Sequence, residues 1–93
     1  MYTVQFINPL DQFGSTSFDL IMTDSSGVFP DYRSNIQVSS PAQQYILESL
    51  ANMILAQINY TYANNWIADP DIPSVTTPPI ATIGYTTINM PGA

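Results

Sequence analysis

The chain has 93 residues, seven carboxylates against one cationic side chain, Arg33, and a formal net charge of −6. Charged residues make up 9% of the sequence, where about 25% is usual for a globular domain, and lysine, histidine and cysteine are absent. These absences exclude Ser-His-Asp and Cys-His catalysis, Schiff-base chemistry, disulfides and thiolate metal sites. They also argue against binding to nucleic acid or to anionic membranes.

The length predicts a single domain over residues 1–93. An apolar fraction of 45% is enough to build a modest core. No apolar run reaches the ~18 residues of a membrane-spanning helix, and no cationic region precedes the first apolar segment, so we expect neither a membrane anchor nor a secretory signal.

Two N-terminal segments alternate apolar and polar residues and are predicted to pair as a hairpin. The predicted strands are 2–7 and 16–23, and the Asn-Pro pair at 8–9 is expected to end the first of them. Gly14 lies between the strands, where a turn needs a residue with a permissive backbone. A short third strand is predicted over 34–38.

One long helix is predicted over about 41–62. Ser40 at the N-cap and Gln43 three residues later match a capping box, and Pro41 suits the first helical position. On a helical wheel the apolar residues cover roughly half of the circumference, whereas a surface helix needs only ~100°. One apolar face is therefore expected to pack on the sheet, and the remaining apolar surface of the helix, called here the surplus, needs another cover.

The surplus of the helix is assigned to Leu47, Leu55 and Tyr62. Two coverings remain open at this point. The first is the helix of a neighbouring subunit, and the second is the C-terminal part of the same chain.

The segment 66–79, called here the Pro-rich segment, contains four prolines and is predicted to be an extended arm, because prolines at this density prevent a helix. Its apolar side chains Trp66, Ile67, Ile72 and Val75 are too many for a free linker. We therefore expect the arm to lie on a surface.

Strand character returns over 80–90, where Gly84 indicates a bulge or the close approach of another backbone. The predicted fold class is α+β, with one helix on a small, mainly antiparallel sheet and an extended Pro-rich arm.

Chemistry in this chain would have to come from carboxylates. Asp69 and Asp71 flank Pro70 and are candidates for an acid–base pair, although Asp-Pro-Asp is also ordinary turn sequence. No cofactor or metal is predicted, and a calcium site shared between subunits is left open. The Asp-Ser-Ser-Gly run at 24–27 lacks the cation of a phosphate loop and is interpreted as a turn.

A surface with so few charges predicts a subunit of an assembly, because charge keeps free monomers apart and interface cores are poor in charge. Interfaces are also rich in Tyr, Phe, Met and Trp, of which this chain has six, four, four and one. In its short length, lack of lysine, acidic balance, polar uncharged surface, element order and Pro-rich segment, the whole chain resembles small virion proteins of tailed bacteriophages. These are capsid decoration (cement) subunits and minor head or tail components.

The resemblance implies a non-enzymatic structural protein of the virion, assembled in the host cytoplasm. It implies contacts with copies of itself, with the major capsid protein or with another virion protein, and no contact with nucleic acid or membrane. The alternatives are a small acidic module that occupies a basic partner and a carboxylate enzyme. The predicted interface residues are Arg33, Leu47, Leu55, Tyr62, Trp66, Ile67, Ile72 and Val75.

Overall fold

The computed structural model of the protein describes residues 1–91, which form four strands and one helix. In chain order the elements are β1 (Tyr2–Gln12), β2 (Ser15–Asp24), β3 (Tyr32–Ser39), α1 (Gln44–Asn65) and β4 (Ile83–Ile88). The strands form one sheet in the order β3-β2-β1-β4, in which β1 is antiparallel to β2 and parallel to β4, and β2 is antiparallel to β3. The α+β arrangement predicted from the sequence is confirmed, with a mixed sheet.

The core lies between α1 and one face of the sheet. Alternate residues of β1 and β2 point into it, as the period of two in a strand requires, and α1 contributes two fully buried residues. Phe6 and Phe18 meet edge to face with ring centroids 6.1 Å apart. The buried apolar residues are Tyr2, Val4, Phe6, Phe18, Leu20, Met22, Phe29, Leu47, Ala51 and Ala81.

β1 is longer than predicted, because the Asn-Pro pair at 8–9 is accommodated and does not end the strand. The pairing with β2 shifts by one residue between Ile7 and Leu10, which is a β-bulge. Asn8 has a φ of 53° there, a conformation that Asn tolerates better than most residues. A bulge is also one of the few places in a sheet where a proline without an N–H is harmless.

The helix begins three residues later than predicted, and the predicted capping box is wrong. Ser40 instead donates its backbone N–H to the carbonyl of Gly14 at 2.9 Å. This bond extends the pairing of β3 with the β1–β2 hairpin past the end of the strand. The N-cap is Gln43, whose backbone is extended and whose side chain makes no capping hydrogen bond. α1 then runs to Asn65, three residues beyond the predicted end.

The extended arm predicted over the Pro-rich segment is not shown. The segment has neither helix nor strand, and it contains two consecutive turns in which Ile72 N donates to Asp69 O and Val75 N donates to Ile72 O, each at 3.1 Å. Pro70 and Pro73 each occupy the second position of a turn, where the fixed φ of proline is favourable. Proline therefore acts here as a turn residue.

β4 is shorter than predicted and has the irregularity expected at Gly84. The pairing with β1 shifts between Tyr2 and Thr3, so that Gly84 is skipped. A Cβ atom at Gly84 would lie 3.1 Å from Cβ and Sδ of Met1. The predicted bulge is confirmed, whereas the close neighbour of this glycine is the side chain of Met1 and not another backbone.

Candidate interaction surface

An open apolar groove lies between the C-terminal half of α1 and the chain leading into β3. On the helix the groove is lined by Ile54, Ile58 and Asn65, whose spacings of four and seven residues place them on one side of the helix. The groove has a volume of about 380 Å³ and no charged side chain in its wall. The residues that line it are Pro30, Tyr32, Ile54, Gln57, Ile58, Thr61, Tyr62 and Asn65.

The end of the groove is fixed by packed aromatic rings. The ring centroids of Phe29 and Tyr62 are 4.8 Å apart, and Phe29 also contacts Tyr2 with centroids 6.2 Å apart. The hydroxyl of Tyr2 donates to the carbonyl of Pro30 at 2.6 Å. Burial, followed by the negative charges of Asp24 and Asp31, raises the pKa of the Tyr2 hydroxyl above its usual value.

Asp24 holds the loop between β2 and β3 in place. Its buried carboxylate accepts hydrogen bonds from the Ser26 hydroxyl at 2.5 Å and from the backbone N–H groups of Val28 and Phe29 at 3.1 Å. The ammonium of Met1 lies 3.1 Å from the same carboxylate, and this is the one ion pair within residues 1–91. The Ser26 hydroxyl first, and then the backbone donors and the ammonium, hold the pKa of the Asp24 carboxyl well below its usual range.

The Pro-rich segment begins beside the groove, and Asn59 holds the chain just beyond its far end. The side-chain amide of Asn59 accepts from Ala81 N at 2.7 Å and donates to Ala81 O at 3.0 Å. Between these points most of the side chains are exposed, including 87% of Ile67, 47% of Ile72 and 44% of Val75. The segment is therefore anchored at both ends and presents apolar side chains to its surroundings.

The face of the sheet opposite α1 is bare and almost free of charge. Its two ionic residues are Asp19 on β2 and Arg33 on β3, and Arg33 makes no ion pair with any carboxylate that the structure describes. Asp19 accepts hydrogen bonds from the side-chain amides of Asn8 and Asn35 at 2.9 Å and 3.2 Å. These bonds, that of Asn8 first, hold the pKa of the Asp19 carboxyl below its usual value.

The tip of the β1–β2 hairpin carries an exposed aromatic ring. Phe13 and Gly14 have φ values of 53° and 78°, the pair of positive angles that a type I′ turn requires. Gly14 adopts this conformation without strain, whereas a bulky side chain in it costs about 1–2 kcal/mol. Phe13 is also 96% exposed, so its ring gains nothing from the rest of the chain.

Four of the eight predicted interface residues lie in a single segment of the chain. Trp66, Ile67, Ile72 and Val75 belong to the Pro-rich segment, and Trp66 is the half-buried C-cap of α1. Of the other four, Tyr62 lines the groove and Arg33 lies on the bare sheet face. Leu55 packs against the core, and Leu47 is fully buried in it.

Several exposed apolar residues are absent from the predicted interface. Phe13 lies in a predicted turn, and an aromatic residue before Gly in a hairpin turn is the signal that identifies it. Tyr45, Met53 and Tyr60 lie on the outer face of α1, where the helical wheel had indicated a single broad apolar arc without saying which part the sheet would cover.

The acidic residues are dispersed over the molecule. Within residues 1–91, no three carboxylates come together in a group that could hold a metal ion. Asp69 accepts a hydrogen bond from the backbone N–H of Asp71 at 2.9 Å, a bond typical of an Asp residue that begins a turn. The predicted turn at 24–27 is also present, with Gly27 N donating to Asp24 O at 3.2 Å.

Comparison of the chain with protein-family models, with curated protein sequences and with solved structures found no significant match. No helix within residues 1–91 combines the length and the apolar character needed to cross a bilayer.

Proposed function

We propose that this chain is a non-enzymatic structural subunit of a larger assembly, the virion of a tailed bacteriophage, and that it stabilises a capsid or connector through protein–protein contacts. Its partners are copies of itself, the major capsid protein or another virion protein. The assignment to a virion is carried by the resemblance in composition and element order, and the assignment to an assembly is carried by the surface of the molecule.

The observation that carries the proposal is an excess of surface. The chain exposes 6212 Å², whereas a compact monomer of 10.2 kDa exposes about 5,300 Å². Its radius of gyration is 16.0 Å, against about 12 Å for a compact domain of this length. The excess of about 900 Å² is close to the ~800 Å² that each partner contributes to a protein–protein interface of standard size.

The exposed surface has the composition of an interface. Interface cores are depleted of charge and enriched in aromatic residues and Met, and this chain exposes large apolar side chains on every element except β2 and β3 while having one Arg and no Lys. The exposed large apolar residues are Met1, Leu10, Phe13, Val28, Tyr45, Met53, Tyr60, Ile67, Ile72, Val75, Ile80 and Tyr85.

The arrangement of the carboxylates weighs against an acidic module that imitates an anionic ligand. Such a module needs its negative charges in one exposed array. Here Asp24 is buried and bonded within the loop after β2, and Asp19 is held by two Asn side chains on the bare sheet face. Of the remaining five, Asp69 and Asp71 share the Pro-rich segment, while Asp11, Asp31 and Glu48 lie on β1, before β3 and on α1.

Replacement of Trp66 and Ile72 by Asp tests the proposal, because it places charge on the apolar side chains of the Pro-rich segment outside the core. We expect the double variant to keep its helical circular dichroism and to lose co-sedimentation with purified virions. Replacement of Ser74 and Thr77 by Asp adds the same charge to polar positions of the segment and serves as the matched control. Incorporation of the Trp66/Ile72 variant at the level of the control would refute the role of this surface.

A further inference from the structure

The groove beside α1 has the character of a binding site for an apolar segment. Ile54, Ile58 and Tyr62 form one wall, and Tyr32 stands opposite them. Its volume of about 380 Å³ is in the range of small-molecule and peptide pockets. Because no charged side chain lines it, the groove favours an uncharged apolar occupant over an ionic one.

The Pro-rich segment has the complementary properties. Two successive turns at Asp69–Ile72 and Ile72–Val75 give it a defined shape, and proline at the second position of each turn restricts the free chain. Ordering a segment of this kind on a partner costs little conformational entropy, since much of its freedom is already lost. Its exposed Ile67, Ile72 and Val75 are apolar side chains of the size that the groove accepts.

The chain does not fill its own groove. Asn65 is the last residue of the groove wall, and Ile67, two residues later, is 87% exposed. The segment therefore leads away from the groove of its own chain. The chain is hydrogen-bonded to the body again at Ala81, where Asn59 holds it.

The closeness of groove and segment favours a second copy of the chain as the partner. In a two-fold symmetric pair, a contact made by one copy is repeated by the other. Because the groove and the Pro-rich segment are neighbours on this chain, such a pair forms the contact between groove and segment twice. The excess surface of about 900 Å² per chain matches the ~800 Å² per partner of a stable interface. The two carboxylates of the segment, Asp69 and Asp71, are exposed and free to remain at the rim.

We infer that two copies of this chain exchange their Pro-rich segments, with Ile72 and Val75 of each copy seated in the groove of the other. The inference rests on the proposed function as an assembly subunit and names the partner of its apolar surface. It makes the two-fold dimer the unit that enters the larger assembly.

Crosslinking tests the exchange, and the absence of native cysteine makes each introduced thiol unique. Thr61→Cys places a thiol in the groove, and Ser74→Cys places one in the segment between Ile72 and Val75. An equimolar mixture of the two single variants, treated with a short bismaleimide, is expected to give at least ~10-fold more crosslinked dimer than the control mixture of Thr23→Cys with Ser74→Cys. The thiol at position 23 lies on the bare sheet face, and a thiol held in a complex reacts at a far higher effective concentration.

A second pair of variants keeps the test independent of the crosslinker. Replacement of both Ile72 and Val75 by Asp should shift the mass measured by light scattering from twice 10.2 kDa to 10.2 kDa, and Ser74→Asp should leave it unchanged. A dimer whose groove and segment do not crosslink would overturn the exchange and leave the assembly role standing. A monomeric wild type, or a double Thr61→Cys/Ser74→Cys variant that crosslinks within one chain, would overturn the inference, while co-sedimentation with virions reports separately on the proposed function.

Discussion

Leu47→Ala removes the side chain that fixes α1 to the sheet, and its cost can be worked out from the structure. Leu47 is fully buried in the cluster that includes Phe6 and Phe18. The substitution removes about three methylene equivalents at about 0.8 kcal/mol each, or about 2.4 kcal/mol, before any cavity is counted. The residual cavity raises the loss to about 3–5 kcal/mol, out of the roughly 5–14 kcal/mol expected for a domain of this length.

The assay is urea unfolding followed by circular dichroism at one protein concentration. Leu10→Ala, which removes the same atoms from an exposed position on β1, is the matched control and should cost less than about 1 kcal/mol. The midpoint of thermal unfolding of Leu47→Ala should fall by at least about 12 °C, at about 4 °C or more for each kcal/mol. Equal losses at the two positions would refute the packing of α1 described here.

The remaining predictions concern Asp24, which holds the loop after β2, and Asn59, which holds the chain at Ala81. The hydrogen bonds to the Asp24 carboxylate lower its pKa in the folded state. The ionised carboxylate therefore makes its full contribution to stability when the pH is above the unfolded pKa of about 3.9. This contribution is lost as the pH falls below that value. Asp24→Asn should therefore be less stable than the wild type at pH 7 and show a flatter decline in thermal midpoint between pH 4 and pH 2; parallel profiles would contradict this. Asn59→Leu leaves the N–H of Ala81 without its acceptor and should cost about 1–3 kcal/mol and speed amide exchange at residues 81–83. Asn52→Leu, which removes only a bond to a carbonyl of the same helix, is the control, and equal exchange rates in both variants would count against the anchor.

The elements with a regular apolar period were predictable from the sequence. The alternation over 16–23 identified β2 to within one residue at either end, since the buried face of a strand imposes a period of two. Gly84 was predictable as an irregular point because a missing side chain in a strand has few other uses. These signals depend only on neighbouring residues, so they can be recognised without knowledge of the fold.

The start of α1 was not predictable, because a tertiary contact decides it. Ser40 has the right residue type and spacing for an N-cap, yet its N–H is bonded to Gly14, 26 residues earlier in the chain. The direction of Leu47 could not be inferred either, since a helical wheel shows the width of an apolar arc and not which part of it the sheet covers.

The candidate surface was predictable in part. The Pro-rich segment was identified by its apolar side chains among prolines, and three of these four side chains, those of Ile67, Ile72 and Val75, are exposed. Its turns were not predictable from proline density, because proline favours extended backbone as well as turns, and here Asp69-Pro70 and Ile72-Pro73 each begin a turn. The groove joins α1 to residues 30–32, and no sequence pattern links parts of the chain that distant.

The most direct test of the account is the mass of the purified chain, measured by light scattering behind size-exclusion chromatography at low and at high salt. Apolar burial between copies is not weakened by screening, whereas contacts between exposed charges are. We predict a mass of at least twice 10.2 kDa at both salt concentrations. A single copy at both concentrations would contradict the claim that the excess surface of this chain is covered by a second copy.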